Sequence, residues 1–165
     1  MATITLKGNT IHTIGNLPKV GTKAPDFTLI ANNLSKSSLS DYKGSKVILN
    51  IFPSIDTATC AASVRQFNKE ASSLKNVKVL CISRDLPFAQ ARFCGAEGLD
   101  NVINLSDFAT GKFGKDYGLE IADGPLANLH ARVVIVLDEN GNITYTQQVP
   151  EIVDEPNYSE VLNAI

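Results

Sequence analysis

Three short runs of almost unbroken apolar and β-branched residues constrain this chain most: 46–52 (KVILNIF), 77–83 (VKVLCIS) and 132–137 (RVVIVL). A strand with one face in water alternates apolar and polar residues, whereas a strand covered on both faces reads as a continuous run. Each run is too short for an ordinary helix and far short of the ~20 residues that span a bilayer. Between the first two, Val64, Phe67, Ala71 and Leu74 recur at helical spacing, with Arg65, Gln66, Lys69 and Glu70 on other faces. A sheet buried on both sides, with at least one long crossover helix over 60–74, is the architecture these segments require.

The remaining segments fill in that plan. Residues 3–6 and 10–14 alternate around Gly8-Asn9 and read as a small N-terminal hairpin. The stretch 17–26, with Pro18, Gly21 and Pro25, reads as a connection. Short strands are expected at 27–30 and 102–105, and a helical turn at 38–43. Helices are expected at 87–94, opened by Pro87 and stopped by Gly95, at 108–117, stopped by Gly118, and at 158–165. Asp138 to Gly141 forms a turn leading to a partner strand at 143–147. The order is strand–helix–strand–helix, then strand–turn–strand–helix. It predicts an α/β fold of thioredoxin-like type: a mixed central sheet, parallel in its first half, flanked by helices.

At 165 residues the chain is the size of one domain, 1–165. With 44% hydrophobic residues it can bury a core without a disulfide scaffold or structural metal. Its net charge of −2 argues against a broad basic face for nucleic acid or anionic membranes. The N-terminus lacks a basic segment followed by an apolar one, so a cytoplasmic protein without a signal peptide is the expectation. In that compartment thiols stay reduced, and three cysteines cannot all pair within one chain. Cysteines that matter here are therefore expected to be catalytic or metal-bound rather than structural.

The segment 53–60 (PSIDTATC) joins the first buried strand to the first long helix, where an open α/β sheet presents its reactive groups. Cys60 falls in the first helical turn, where unpaired N–H groups and the helix dipole favour negative charge. Thr57, three residues earlier, is placed to bring its hydroxyl beside the sulfur, while Thr57 or Thr59 serves equally well as a plain helix cap.

The pattern Pro53-x-x-x-Thr57-x-x-Cys60 resembles the active-site motif of the peroxiredoxins. The flanking FPSIDTATCAASVRQFN and the segment 85–98 (DLPFAQARFCGAEG) resemble the bacterial thiol peroxidases among them. The likeness runs through nearly the whole chain, including the hairpin and 121–126 (IADGPL). It implies a peroxidase with no metal or organic cofactor. Cys60 would be the peroxidatic cysteine, oxidised by a hydroperoxide to a sulfenic acid. Cys94 would resolve that acid to a disulfide within one subunit, and thioredoxin would reduce the disulfide. Of the four arginines, Arg65, Arg84, Arg92 and Arg132, the last matches the arginine that the family sets beside the sulfur. Pro53 would enclose the site, and Thr57 and Arg132 would position the peroxide oxygens. The resemblance also suggests a homodimer.

Two other functions fit the residues: a redox sensor or disulfide carrier on the same fold, and a cysteine hydrolase with His130 as base. His12 and His130 have no metal-ligand spacing with a cysteine, which argues against zinc. Cys81, inside a buried strand, reads as packing. Cys94, just before Gly95, reads as sitting at an exposed, fraying helix end. Asp56 and Arg84 read as turn and ion-pair residues, and Glu151, Asp154 and Glu155 as a solvated acidic face.

Overall fold

The computed structural model describes residues 1–165. A hairpin of β1 (Thr3–Leu6) and β2 (Asn9–His12) precedes β3 (Thr28–Ala31), β4 (Lys36–Ser38) and a 3-10 turn over Leu39–Tyr42. Then follow β5 (Lys46–Ile51), α1 (Ala58–Ala71), β6 (Val77–Ser83), α2 (Pro87–Glu97), β7 (Ile103–Ser106) and α3 (Lys112–Asp116). β8 (Val133–Leu137), β9 (Ile143–Gln148) and α4 (Tyr158–Asn163) complete the chain. The main sheet has the order β4-β3-β7-β6-β5-β8-β9. β5, β6 and β7 are parallel, and β8 runs antiparallel to both β5 and β9. This is the thioredoxin-like mixed sheet that the sequence predicts, with the antiparallel hairpin beside it. No helix is long and apolar enough to cross a membrane.

The three continuous runs are continuous because successive side chains enter two different cores. Val47, Leu49 and Ile51 of β5, with Leu80 and Ile82 of β6 and Val133 and Ile135 of β8, pack with Phe113 and the N-terminal hairpin. Ile48 and Phe52, with Val79, Cys81, Val134 and Val136, face the other way, against α1, α2 and α4. All three cysteines belong to this second core.

Most element ends shift by one to three residues from expectation, as fraying and capping allow. Three differences matter more. β4 was not expected; its three residues, Lys-Ser-Ser, carry no apolar pattern and are held by pairing with β3. α3 is half the expected length, because Gly111 takes a left-handed φ of 66° just before Lys112 and starts the helix late. Most consequentially, Gly95 does not stop α2. The helix runs on to Glu97 and ends at Gly98, whose φ of 67° is the left-handed cap. Cys94 is therefore inside the helix, 8% exposed and part of a core, not at a fraying end.

Gly95→Ala should accordingly stabilise the protein by about 0.5–1 kcal/mol, because a mid-helix glycine carries an entropic cost and a Cβ there meets nothing within 4 Å. Gly98→Ala should cost about 1 kcal/mol for its left-handed backbone. Urea denaturation of the two variants checks the pair; the opposite order would restore Gly95 as the stop.

Candidate active site

β5 ends at Ile51, and the buried Pro53, which has no N–H for a sheet ladder, turns the chain away from the sheet. Asp85 clamps the loop that follows. Its carboxylate accepts from the Ser54 hydroxyl and the Ile55 N–H, both at 2.7 Å, and from the Ser83 hydroxyl at 2.6 Å. Thr57 then caps α1: its backbone is extended and its Oγ1 accepts from the Cys60 N–H at 3.4 Å. The Thr57 hydroxyl proton goes to the Ser54 carbonyl at 3.0 Å. Of the two roles open to Thr57, the resting structure displays the cap.

Cys60, the third residue of α1, has no exposed surface. Arg132 Nη2 donates to its sulfur at 3.3 Å. Arg132 is only 2% exposed, its Nε donates to the Ile152 carbonyl at 2.9 Å, and its Nη1 is buried without a partner. No carboxylate forms an ion pair with it. Burying an isolated charge costs several kcal/mol unless it is compensated. Among its hydrogen-bond partners the sulfur is the one group able to carry the compensating negative charge, and a charge-assisted bond to a thiolate is stronger than one to a neutral acceptor. The site thus pairs a helix N-terminus with a fixed cation around one sulfur.

Cys94 has different surroundings. Asn104 Nδ2, from β7, donates to its sulfur at 2.8 Å. Burial pushes the Cys94 thiol up, the Asn104 bond opposes that, and Asp100 and Glu97 add to it. Cys81 has no exposed surface, and burial pushes its thiol up to about 12, which keeps it protonated. All three cysteines are free thiols. The residues that anchor Cys60 and Cys94 stand on opposite sides of β5 and β6, near β8 and on β7. That is three strand spacings, roughly 14 Å at 4.8 Å each.

Four further groups have a place in the structure that differs from, or is absent from, the sequence expectation. Asn104 and Asn50 are polar interruptions within buried strands. Asn50 donates to Ser63 Oγ at 3.2 Å, and Ser63 donates to the Cys60 carbonyl at 2.8 Å. Asparagine inside an apolar run was the available signal. Glu151 is no solvated face residue. Its carboxylate accepts from the Lys7 and Gly8 N–H groups, both at 2.9 Å, and from the Thr5 hydroxyl at 2.7 Å. It thereby fastens the hairpin to the loop whose Ile152 carbonyl holds Arg132 and whose Val153 carbonyl accepts from Thr59 at 2.8 Å. His130 does acquire an orienting partner, with Nε2 2.9 Å from Asp107 Oδ2. Its ring packs on Phe113, a residue of the core on the far side of the sheet from Cys60. That arrangement gives the hydrolase reading no base at the sulfur. Asp56 pairs with Arg92 at 3.0 Å, and Arg84 donates to the Asn128 carbonyl at 3.0 Å.

A cysteine at a capped helix start, beside a buried arginine on a thioredoxin-like sandwich, defines a thiol-based redox protein. The comparisons agree. The redoxin family profile matches residues 19–162. The thiol peroxidases of Mycobacterium bovis and Mycobacterium tuberculosis are each 53% identical over 165 residues, covering 100% of this chain and 99% of theirs. A peroxiredoxin-like protein from Aquifex aeolicus superposes with a TM-score of 0.93 at 37% identity, over 99% of this chain and 95% of that one. A thiol peroxidase from Chromobacterium violaceum shares the fold, with a TM-score of 0.90 at 21% identity over 98% and 93% of the two chains. The chain belongs to the redoxin family, among its peroxiredoxins of the thiol peroxidase type.

The backbone N–H of Gly8, with the Thr5 hydroxyl, the Lys7 N–H and a further bond from the Val153 N–H at 3.3 Å, holds the Glu151 carboxyl down at about 2. A folded-state value below the unfolded one contributes stability that is full above the ordinary carboxylate range, about 4.3, and is lost as pH falls through the folded value. Glu151→Gln should therefore be less stable than wild type at pH 5–7, with the gap closing as pH falls towards about 2. Urea titrations across that range measure it; a gap independent of pH would refute the latch.

Proposed function

We propose that this chain, acting as one domain over 1–165, reduces hydrogen peroxide and organic hydroperoxides through Cys60 and Cys94. The Cys60 thiolate attacks one peroxide oxygen, the O–O bond breaks, and the leaving oxygen takes a proton to depart as water or an alcohol. Cys60 is left as a sulfenic acid. The Cys94 thiol then attacks that sulfur, an S–S bond forms, the S–O bond breaks, and the departing hydroxide takes the Cys94 proton and leaves as water. Thioredoxin's dithiol reduces the disulfide by thiol exchange and is itself oxidised.

The observation that carries the reading is the Arg132 fork: one N–H on the Cys60 sulfur, and a second, on Nη1, buried with no partner. A peroxide oxygen bound next to the sulfur satisfies that donor, so the substrate removes a cost that the resting site bears. Thr57 contributes by turning its hydroxyl from the Ser54 carbonyl to a peroxide oxygen, and Pro53 walls off water. Because Cys60 has no exposed surface, a slight opening of the 53–57 loop admits the substrate. The strands next to the two anchors stand about three spacings apart and a disulfide needs Cα atoms within about 7 Å, so in this reading a helix lifts to let the sulfurs meet. The same reading extends to a homodimer working in the cytoplasm, where thioredoxin is the available reductant.

One equivalent of hydroperoxide should remove two thiols and leave a Cys60–Cys94 bridge within one chain, seen by thiol titration and peptide mapping. Cys60→Ser should abolish peroxide consumption. Cys94→Ser should consume a first equivalent and stall as sulfenate. Arg132→Lys, which keeps a charge but loses the planar fork, should slow Cys60 oxidation by about a hundredfold. Sustained turnover with thioredoxin separates an enzyme from a sensor, and turnover by Cys60→Ser would sink the assignment.

A further inference from the structure

Cys94 and its helix combine a small apolar burial with several polar contacts. α2 buries only Pro87, Gln90 and Cys94, whereas α1 buries five residues and has a side-chain cap that α2 lacks. Beneath α2, Gln90 Nε2 donates to Ser83 Oγ and to the Leu105 carbonyl, both at 3.1 Å. On its outer side two ion pairs tie it to the segment that carries Cys60. Arg92 Nη2 donates to Asp56 at 3.0 Å. Arg65, on α1, grips Glu97 with both arms of its fork, Nε at 3.0 Å and Nη2 at 2.9 Å. The same guanidinium lies 5.4 Å from the centroid of the Phe93 ring. Arg65 thus holds the residue just before Cys94 and the one three positions after it.

We infer that Arg65 is a positioning residue for the resolving step: with Glu97 and Phe93 it forms a catch that keeps Cys94 docked away from Cys60, and release of the catch gates disulfide formation. The inference rests on the two-cysteine reading above. Its physics is that of an interaction present before a step and absent during it. The Arg65 contacts stabilise docked α2 and are lost when α2 lifts, so their full strength adds to the barrier. Arg65 and Glu97 side chains are 47% and 36% exposed, so the catch is modest and yields to salt. A bidentate pair with a stacked ring at such a site amounts to a factor of about 3 to 10 in rate. A slower resolving step leaves the Cys60 sulfenic acid open to a second peroxide for longer, so the catch also raises the yield of sulfinic acid.

The chain has no tryptophan, so bridge formation is best followed by rapid quenching, alkylation and mass analysis after one equivalent of hydroperoxide. Wild type should form the Cys60–Cys94 bridge about 3 to 10 times faster near 1 M salt than near 20 mM, because the Debye length shrinks to about 3 Å. Arg65→Gln and, independently, Glu97→Gln should be faster at low salt, keep only the salt response of the remaining Arg92–Asp56 pair and accumulate less sulfinate. The charge-exchanged double variant Arg65→Glu with Glu97→Arg should recover part of the slow, salt-sensitive behaviour, which a general loosening of α2 would not give. Sulfenate formation, measured in a Cys94→Ser background, should not change with Arg65→Gln. A normal bridge in wild type with unchanged Arg65→Gln kinetics overturns the catch alone. Absence of the bridge in wild type overturns the two-cysteine reading and the catch with it.

Discussion

A guanidinium buried without a carboxylate is the constraint around which this molecule is arranged. Arg132, 2% exposed, has a carbonyl and a sulfur as its hydrogen-bond partners. Such a charge is costly to desolvate, and breaking a buried compensated pair typically costs 3–5 kcal/mol. The fold therefore has to hold three things together: the start of β8, the first turn of α1 and the Ile152 carbonyl. β8 is fixed by pairing with β5 and β9 on its two sides. α1 is fixed by its Thr57 cap and by apolar burial through Val64 and Phe67. The Ile152 loop is fixed from outside, by Glu151 collecting donors from the N-terminal hairpin. The hairpin, far from the sulfur in sequence, thus acts on it through two links.

The second core is not uniformly apolar, and its polar members lie beneath the cysteines. Cys81 of β6 stands opposite Asn50 on one side and Asn104 on the other. Asn50 reaches α1 through Ser63, and Asn104 reaches α2 through the Cys94 sulfur. Leucines in those places would bind the helices more tightly, at about 25 cal/mol per Å² of apolar surface removed from water. A polar seam gives up that strength and offers groups that water can satisfy when a helix lifts. In this way the sheet below α2 supports a docked helix without making the proposed lifting prohibitive.

How much of this was legible in the sequence follows from what each feature depends on. The central strands β5, β6 and β8 read correctly because burial on both faces leaves a local, unbroken pattern. β4 left no mark, since its Lys-Ser-Ser is held by a neighbour rather than by its own composition. Gly95 misled because glycine reports a helix end only when its φ is positive, and the residue that adopts that conformation is Gly98. Arg132 was found through resemblance, as one arginine in four. Its isolation from any carboxylate, which gives it chemical meaning, is a tertiary fact. Glu151 and the His130–Asp107 pair join residues far apart in the chain, and no local signal marks either.

The three thiols show most directly how one fold assigns different chemistry to one side chain. All three are buried and share a core, so burial alone does not tell them apart. What separates them is the partner. Cys81 has a distant amide at 3.8 Å and is pushed up to about 12. Cys94 has a close amide, which offsets part of the cost of burial without reversing it. Cys60 has a full cation and a helix start, the one combination of the three that suits a standing negative charge. The order of partners is the order in which the proposed reaction uses the sulfurs: the charged site first, the amide-held thiol second, and the remaining one not at all. A chain that relied on exposure to select its reactive thiol would leave that thiol open to every oxidant. In the proposed reaction selection is made in the interior, by the charge of the neighbour, and access is left to the motion of two short segments.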